Sequence, residues 1–136
     1  MDPCALVVGA NGSFGSALIT ELVNKGIYSK IIGVCRQLPE SPVPGCQYSV
    51  IGQYTEAEIS ACLKAAVGDL HCRFTAITTG VLHDSQAELQ PEKRLEDISM
   101  AGLQRLVEVN SFMPMLWVKH LLPYMKHQSR ADIVCL

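Results

Sequence analysis

Three glycines spaced three residues apart, Gly9, Gly12 and Gly15, stand between an apolar segment and a predicted helix. Gly9 would permit a sharp turn, Gly12 would let a pyrophosphate approach the backbone, and Gly15 would let helix and strand pack closely. Amide groups at the amino end of a helix attract anions. This context predicts a dinucleotide-binding turn, formed by Gly9, Asn11, Gly12, Ser13, Phe14 and Gly15. The alternative is a strand-to-helix turn whose glycines serve packing only.

An arginine follows the second predicted strand, where an acidic side chain would hydrogen-bond the adenosine ribose in a site for NAD. The residues here are Cys35-Arg36-Gln37, and the nearest carboxylate, Glu40, lies farther along the chain. A guanidinium group can pair with a ribose 2′-phosphate through two hydrogen bonds. Arg36 therefore favours NADP over NAD. The alternative is a solvated arginine at the end of a strand.

Polar side chains at two other places could take part in chemistry. His83 and Asp84 lie in a predicted polar loop, residues 80–92, and form either an acid–base pair or a turn with local hydrogen bonds. Asn110 lies among the apolar residues of a long predicted helix, so we expect a buried amide with hydrogen-bond partners. Its spacing favours a structural bridge over a catalytic group.

Composition bounds the remaining possibilities. The chain has 136 residues, of which 49% are hydrophobic and 18% are charged, which predicts one ordered domain over residues 1–136. A net charge of −2 argues against a nucleic-acid partner, and no apolar run is long enough to span a membrane. The six cysteines have no metal-site spacing, so we expect no metal, buried free thiols and a reducing, cytoplasmic location.

The pattern of apolar segments predicts alternating strands and helices. Strands are expected at residues 4–8, 30–36, 47–51, 74–78 and 131–136, and helices at 16–25, 55–68 and 99–125, the last interrupted at Pro114. Right-handed crossovers then predict an α/β fold with a doubly wound, Rossmann-like parallel sheet in the strand order 3-2-1-4-5. A ligand would bind where the strand order reverses, beside the glycine turn and Thr79-Gly80.

Three stretches together resemble the short-chain dehydrogenase/reductase superfamily, over essentially the whole chain. They are the glycine turn, residues 79–84 with Pro91-Glu92-Lys93, and residues 109–114 with 119–123. Among these proteins the chain is most similar to the small reductases related to the bacterial C-signal factor. The resemblance implies a nicotinamide dinucleotide cofactor held by the glycine turn, Arg36, Thr79 and Gly80. It also implies that Asn110 belongs to a catalytic tetrad and supports a proton relay.

The chain departs from the family pattern at several positions. The middle glycine of the cofactor turn is displaced to Gly12. The aspartate that the family has after the third strand is replaced by Gly52-Gln53. The family motif Asn-Asn-Ala-Gly after the fourth strand becomes Ile77-Thr78-Thr79-Gly80. The catalytic serine and the Tyr-x-x-x-Lys pair of the family do not occur in these residues. The resemblance therefore predicts that the chain is the cofactor-binding portion of an NADP-dependent carbonyl or alcohol reductase. We expect this portion to be truncated after the fifth strand and to be inactive alone.

A second hypothesis is a non-catalytic nucleotide-binding or oligomerising module, which the unusual glycine spacing favours. Under either hypothesis the final strand would present an apolar edge of Ile133, Val134 and Leu136. Exposed edges of this kind invite pairing with another chain. We therefore expect a homo-oligomer that associates through the long helix or the final strand.

Overall fold

Alternating strands and helices make up the computed structural model, which describes residues 3–79, 95–126 and 128–136. The predicted site residue Gly80, the pair His83 and Asp84, and the stretch Pro91-Glu92-Lys93 lie outside these ranges. The strands are β1 (Pro3–Val8), β2 (Lys30–Cys35), β3 (Cys46–Val50), β4 (His71–Ile77) and β5 (Asp132–Cys135). The helices are α1 (Ser13–Lys25), α2 (Glu56–Ala66), α3 (Met100–Val107) and α4 (Met113–Met125), with a 3₁₀ turn at Leu95–Asp97.

All five strands form one parallel sheet in the order β3-β2-β1-β4-β5, which confirms the predicted fold. In the central strand β1, Leu6 pairs with Ile32 on one side and Thr75 on the other. The side chains of β1 from Cys4 to Val8 are fully buried. An unbroken apolar strand is expected where helices cover both faces of a parallel sheet.

Helices on the two faces divide the core into two clusters. On one face α1 packs Ile19 and Leu22 against Ala5 and Val7 of β1. On the other face α2 and α4 pack together against the sheet, and their largest buried side chains are Ile59, Leu63, Trp117 and Leu121. α1 ends at Gly26, which adopts a left-handed conformation with φ of 65°. The arrangement is a three-layer α/β/α fold whose carboxyl strand ends share one edge.

Side-chain contacts position α2. Thr55 is its N-cap and accepts a hydrogen bond from the amide of Glu58. Glu56 in the first turn accepts hydrogen bonds from Lys119 at 2.6 Å and His120 at 3.0 Å, both on α4. These contacts hold α2 and α4 together at the surface.

The predicted long helix is divided by a π-helical turn at Glu108–Phe112. The amide of Met113 donates to the carbonyl of Glu108, five residues earlier. Pro114 follows at once, and proline has no amide hydrogen and clashes with the carbonyl four residues before it, that of Asn110. The break expected at Pro114 is therefore confirmed, and it takes the form of a wider turn just before the proline.

Burial differs between the two halves of the helical segment from α3 to α4. Trp117, Leu121 and Met125 are buried as its carboxyl half crosses the sheet, but Leu103 and Val107 are 43% and 44% exposed. Asn110 is also exposed, so the expectation of a buried amide is wrong. The reason is that α4 packs on β4 and α2, whereas within the described ranges the main contacts of α3 are with the π-helical turn that continues the same helix. None of the helices described is both long and apolar enough to cross a membrane.

Candidate functional site

The glycine turn lies at the carboxyl edge of the sheet, between β1 and α1. Gly9 has a φ of 90°, a conformation that side chains disfavour. The amides of Gly9 and Ala10 both donate to the carbonyl of Val34 on β2, at 2.9 and 3.0 Å. The amide of Gly12 donates back to the carbonyl of Gly9 at 3.1 Å. These bonds fix the turn and direct the chain into α1.

The amino end of α1 is open to solvent within the described part of the chain. Its N-cap is Gly12, which supplies no side-chain cap, and its first turn contains no acidic residue. The first amides of a helix have no intrahelical acceptor, and the helix dipole makes this end positive. The exposed residues here are Asn11, Gly12, Ser13 and Phe14. The geometry can therefore bind an anion through backbone amides.

Each glycine of the turn has a different steric role. A Cβ at Gly15 would overlap the carbonyl oxygen of Gly9, so this position holds helix and strand in close contact. A Cβ at Gly9 would lie 2.5 Å from the hydroxyl of Thr78. A Cβ at Gly12 would meet only the Gly9 oxygen at 3.4 Å and would otherwise project into open space. Gly12 thus leaves a cradle that a ligand can approach.

Two threonines at the end of β4 border the turn. The hydroxyl of Thr78 donates to the carbonyls of Val8 at 2.8 Å and Gly9 at 3.3 Å, which joins β4 to the turn. The hydroxyl of Thr79 is buried and has no hydrogen-bond partner among the residues that the structure describes. A buried hydroxyl in this position is suited to a ligand's polar group. The neighbouring predicted site residue, Gly80, lies outside the described ranges.

Arg36 lines a cleft of about 340 Å³ at the ends of β2 and β3. This volume is in the range of small-molecule sites. Its lining residues within the described ranges come from three separate parts of the chain, and they are Arg36, Gln53, Tyr54, Thr55, Arg105, Glu108 and Met113. These described residues give the cleft a mixed character, with two guanidinium groups, one carboxylate and an aromatic ring.

Tyr54 connects the cleft to the core. Its ring lies edge-on to the buried indole of Trp117, with ring centroids 6.1 Å apart. Burial raises the pKa of the Tyr54 hydroxyl, and the positive charge of Arg36 acts in the opposite direction. Tyr54 is therefore neutral at physiological pH and offers the cleft an aromatic wall with a polar tip.

The sequence identified part of this geometry and missed part of it. Arg36 lies in a cleft, but Tyr54, Arg105 and Glu108 in the same cleft were not predicted. The replacement of an expected aspartate by Gly52-Gln53 was the one local signal at this position. No sequence motif marked Arg105 and Glu108 as site residues, because only the packing of the helical segment brings them to the end of β2.

The cysteines play no evident part in the site. All six are free thiols, as predicted, and Cys4, Cys35, Cys62 and Cys72 are buried. Burial raises the pKa of Cys46 to about 11, so this thiol is protonated at neutral pH. No group of three or more metal-ligating side chains occurs in the ranges the structure describes.

Solved structures with the same fold are short-chain dehydrogenases. A short-chain dehydrogenase/reductase from Saccharomyces cerevisiae matches with a TM-score of 0.79 at 20% identity, over 98% of this chain and 53% of that one. The aldohexose dehydrogenase of Thermoplasma acidophilum matches with a TM-score of 0.76 at 20% identity, over 98% and 48%. A protein from Burkholderia multivorans, described as a short-chain dehydrogenase/reductase with bound NADP, matches with a TM-score of 0.73 at 19% identity, over 92% and 55%.

The chain therefore has the Rossmann-like fold that these oxidoreductases share, and it spans about half the length of the structures it matches. Neither a protein-family model nor a curated protein sequence matches it.

Proposed function

We propose that residues 1–136 are the nicotinamide-dinucleotide-binding portion of an oxidoreductase of the short-chain dehydrogenase/reductase type. The observation that carries this proposal is the open amino end of α1, where Gly12 leaves room for a ligand beside the buried hydroxyl of Thr79. Such an edge of a parallel sheet is the usual site for dinucleotides. The bound NADP in the Burkholderia multivorans neighbour is consistent with the proposal.

The residues present fit NADP in three places. Backbone amides of Ser13, Phe14 and Gly15, in the turn formed with Gly9, Asn11 and Gly12, would hold the pyrophosphate. Thr79 and Gly80 would hold the adenosine ribose, since the Thr79 hydroxyl has no other described partner. Arg36 would pair with the 2′-phosphate, which favours NADP over NAD. The nicotinamide would supply the hydride that such enzymes exchange with a carbonyl or an alcohol.

Fewer residues of the chain can be assigned to catalysis than to cofactor binding. Asn110, exposed in the π-helical turn, is the proposed member of a proton relay, as in the family it resembles. The resemblance to reductases related to the C-signal factor rests on residues 79–84 and 109–114. The 136 residues contain no Tyr-x-x-x-Lys pair. We therefore expect this chain by itself to bind cofactor without turnover. Its free thiols fit a reducing location such as the cytoplasm.

The proposal is tested by the fluorescence of NADPH added to the purified chain. Trp117 is the one tryptophan, and it contacts Tyr54 of the cleft, so energy transfer to the cofactor reports binding. Gly12→Val should abolish the transfer, because its side chain would fill the open cradle while the backbone, with φ of −80°, tolerates valine. Thr20→Val, on the exposed side of α1, is the matched control and should bind as the wild type does.

A second candidate is a non-catalytic nucleotide-binding or oligomerising module. The exposed apolar side chains at Leu95, Met100, Leu103, Val107 and Met115 favour an interaction role for the helical segment. This candidate also binds NADPH, so the difference lies in turnover. A longer chain that contains this segment and reduces carbonyl compounds would support the oxidoreductase. Cofactor binding by such a chain without reduction of any carbonyl would support the module.

A further inference from the structure

One asparagine of the chain is followed directly by a glycine, and it lies in the glycine turn before α1. The chain has three asparagines, of which Asn24 and Asn110 precede residues with side chains, whereas Asn11 precedes Gly12. The backbone nitrogen of the residue after an asparagine can attack the side-chain amide carbon, and a side chain on that residue hinders the attack. Glycine offers no such hindrance and allows the backbone conformations that ring closure needs. Asn11 is therefore the asparagine of this chain most prone to deamidation.

The structure leaves both reacting groups accessible. Asn11 and Gly12 are exposed, and within the described ranges the Asn11 side chain forms no hydrogen bond. Apart from its chain neighbours, a Cβ at Gly12 would meet only the carbonyl oxygen of Gly9, at 3.4 Å. The Gly12 amide donates one hydrogen bond, to the carbonyl of Gly9 at 3.1 Å, and this bond must open before the attack. Opening one bond in an exposed turn is a local fluctuation of low free energy.

Asn24 gives a comparison within the same chain. It is also exposed, but it lies inside α1. The next amide, that of Lys25, belongs to the hydrogen-bonded helix, and the Lys25 side chain hinders attack. Exposure alone therefore does not make an asparagine of this chain reactive.

The reaction at Asn11 balances without an oxidant or a reductant. The nitrogen of Gly12 forms a bond to the Asn11 side-chain carbon and loses its proton, the bond from that carbon to the amide nitrogen breaks, and ammonia leaves. Water then opens the cyclic succinimide at one of its two carbonyls. One product is aspartate, and the other is isoaspartate, in which the backbone runs through the side chain and is longer by one methylene group. Both products replace a neutral amide with a negative charge.

A negative charge at position 11 opposes the binding of an anion to the turn. Position 11 immediately precedes the N-cap Gly12, and the first turn of α1 contains no acidic residue. The positive end of the helix dipole attracts the new carboxylate, which stabilises the helix and repels phosphate. In isoaspartate the longer backbone also displaces the Gly12 amide.

We propose that Asn11-Gly12 is a deamidation site, and that its reaction closes the anion site at the amino end of α1 unless a dinucleotide occupies it. The protective half of this inference rests on the proposed function, because it requires a dinucleotide at this site. A bound pyrophosphate shields Asn11 from water and holds the bond from Gly12 to Gly9 closed. The chain then loses its binding capacity only while it is free of cofactor.

Incubation of the purified chain at mildly alkaline pH, with and without NADPH, tests the inference. Mass spectrometry of proteolytic fragments follows the replacement of an amide by an acid at positions 11 and 24, and the chain unfolded in urea gives the intrinsic rate of each. Without NADPH, Asn11 should convert while Asn24 keeps its amide. With NADPH at about ten times its dissociation constant, conversion should be roughly tenfold slower, because the site is empty for only a small fraction of the time.

Three variants separate the chemistry from its consequence. Asn11→Gln removes the succinimide route, so its NADPH affinity should be the same before and after incubation. Asn24→Gln is the matched control and should lose affinity at the wild-type rate. Asn11→Asp reproduces one product and should bind NADPH about tenfold more weakly than the fresh wild type, without a lower midpoint of thermal unfolding. If Asn11→Asp fails to fold, the incubated wild-type chain supplies the same comparison.

An amide that persists at position 11 in the folded chain, while the unfolded chain converts, would overturn this inference and leave the proposed function standing. Conversion that leaves NADPH affinity unchanged would do the same. Equal rates with and without saturating NADPH would overturn the protective role. A fresh wild-type chain that binds no NADPH would overturn the proposed function and the protective role together, while the deamidation itself is still read from the masses.

Discussion

Gly12 and Gly15 lie three residues apart, yet they serve different purposes. A Cβ at Gly15 overlaps the carbonyl of Gly9, whereas one at Gly12 enters open space. The first position holds α1 against β1, and the second leaves room for a ligand. The roles of two glycines in one motif can therefore be distinguished by the effect of substitution on stability and on binding.

Gly15→Ala should reduce the free energy of unfolding by about 1–3 kcal/mol, the usual cost of forcing extra atoms into a packed contact. Gly12→Ala should reduce it by about 1 kcal/mol or less, because alanine is a poorer N-cap than glycine but meets no steric barrier. Urea denaturation followed by circular dichroism measures both values. Equal losses in the two variants would contradict the assigned roles.

Arg36→Glu should remove any preference for NADPH over NADH. The variant loses a guanidinium group that lines the cleft and gains a carboxylate that repels phosphate, so NADPH affinity should fall about 10- to 100-fold. NADH affinity should change little. Arg73→Glu makes the same charge change near the amino end of β4 and should preserve the preference. Unchanged selectivity in Arg36→Glu would remove this residue from the site.

Local patterns explain how much of the site the sequence could predict. The glycine turn and Arg36 are recognisable because each directly follows a strand, and strand ends of a parallel sheet meet at one edge. Tyr54, Arg105 and Glu108 enter the cleft through the packing of α2 and the helical segment, which no short pattern encodes. Asn110 was expected among apolar neighbours inside the core, and it is exposed because α3 and the π-helical turn precede the part of the segment that crosses the sheet.

At the scale of elements, the strands were predicted to within about three residues, since buried parallel strands are short apolar runs. The segment from α3 to α4 was predicted as one long helix interrupted at Pro114, but its apolar residues divide into a buried group and an exposed group. The periodicity of apolar residues identifies the apolar face of a helix, but only tertiary packing determines which part of that face is buried.

Glu56→Gln should lower the midpoint of thermal unfolding at pH 7 and have no such effect in acid. Hydrogen bonds from Lys119, then His120, hold the pKa of the Glu56 carboxyl below its ordinary value of 4.5. A carboxyl with a lowered folded-state pKa stabilises the fold above pH 4.5, and this contribution is lost as pH falls through the folded-state pKa. Glu56 is exposed, so the effect is small.

Melting curves for Glu56→Gln at several pH values check this expectation. Glu21→Gln, an exposed glutamate on α1, is the control and should show no comparable difference. A difference between Glu56→Gln and the wild type that is the same at pH 7 and pH 3 would show that the contact with α4 is not electrostatic.

At the scale of the whole molecule, two surfaces invite association. The helical segment exposes apolar side chains that include Leu103, Val107 and Met115, and β5 pairs only with β4 among the described strands. Unpaired strand edges and apolar patches are surfaces that proteins usually cover. We propose that a second copy of the chain covers one of them.

The double variant Leu103→Glu with Val107→Glu should shift the chain to monomers in sedimentation velocity, if the helical segment is the interface. Two buried carboxylates at an interface are costly, and both positions are already exposed in a monomer. Leu38→Glu changes a leucine in a loop that is more exposed than either residue, and it should leave association unchanged. A wild-type chain that remains monomeric at high concentration would contradict the proposal of self-association.

The most direct test of the central claim is a calorimetric titration of the wild-type chain with NADPH and, separately, with NADH. The account predicts one binding site per chain, tighter binding of NADPH than of NADH, and loss of that binding in Gly12→Val. The absence of binding heat with both cofactors, in a chain shown by circular dichroism to be folded, would contradict it.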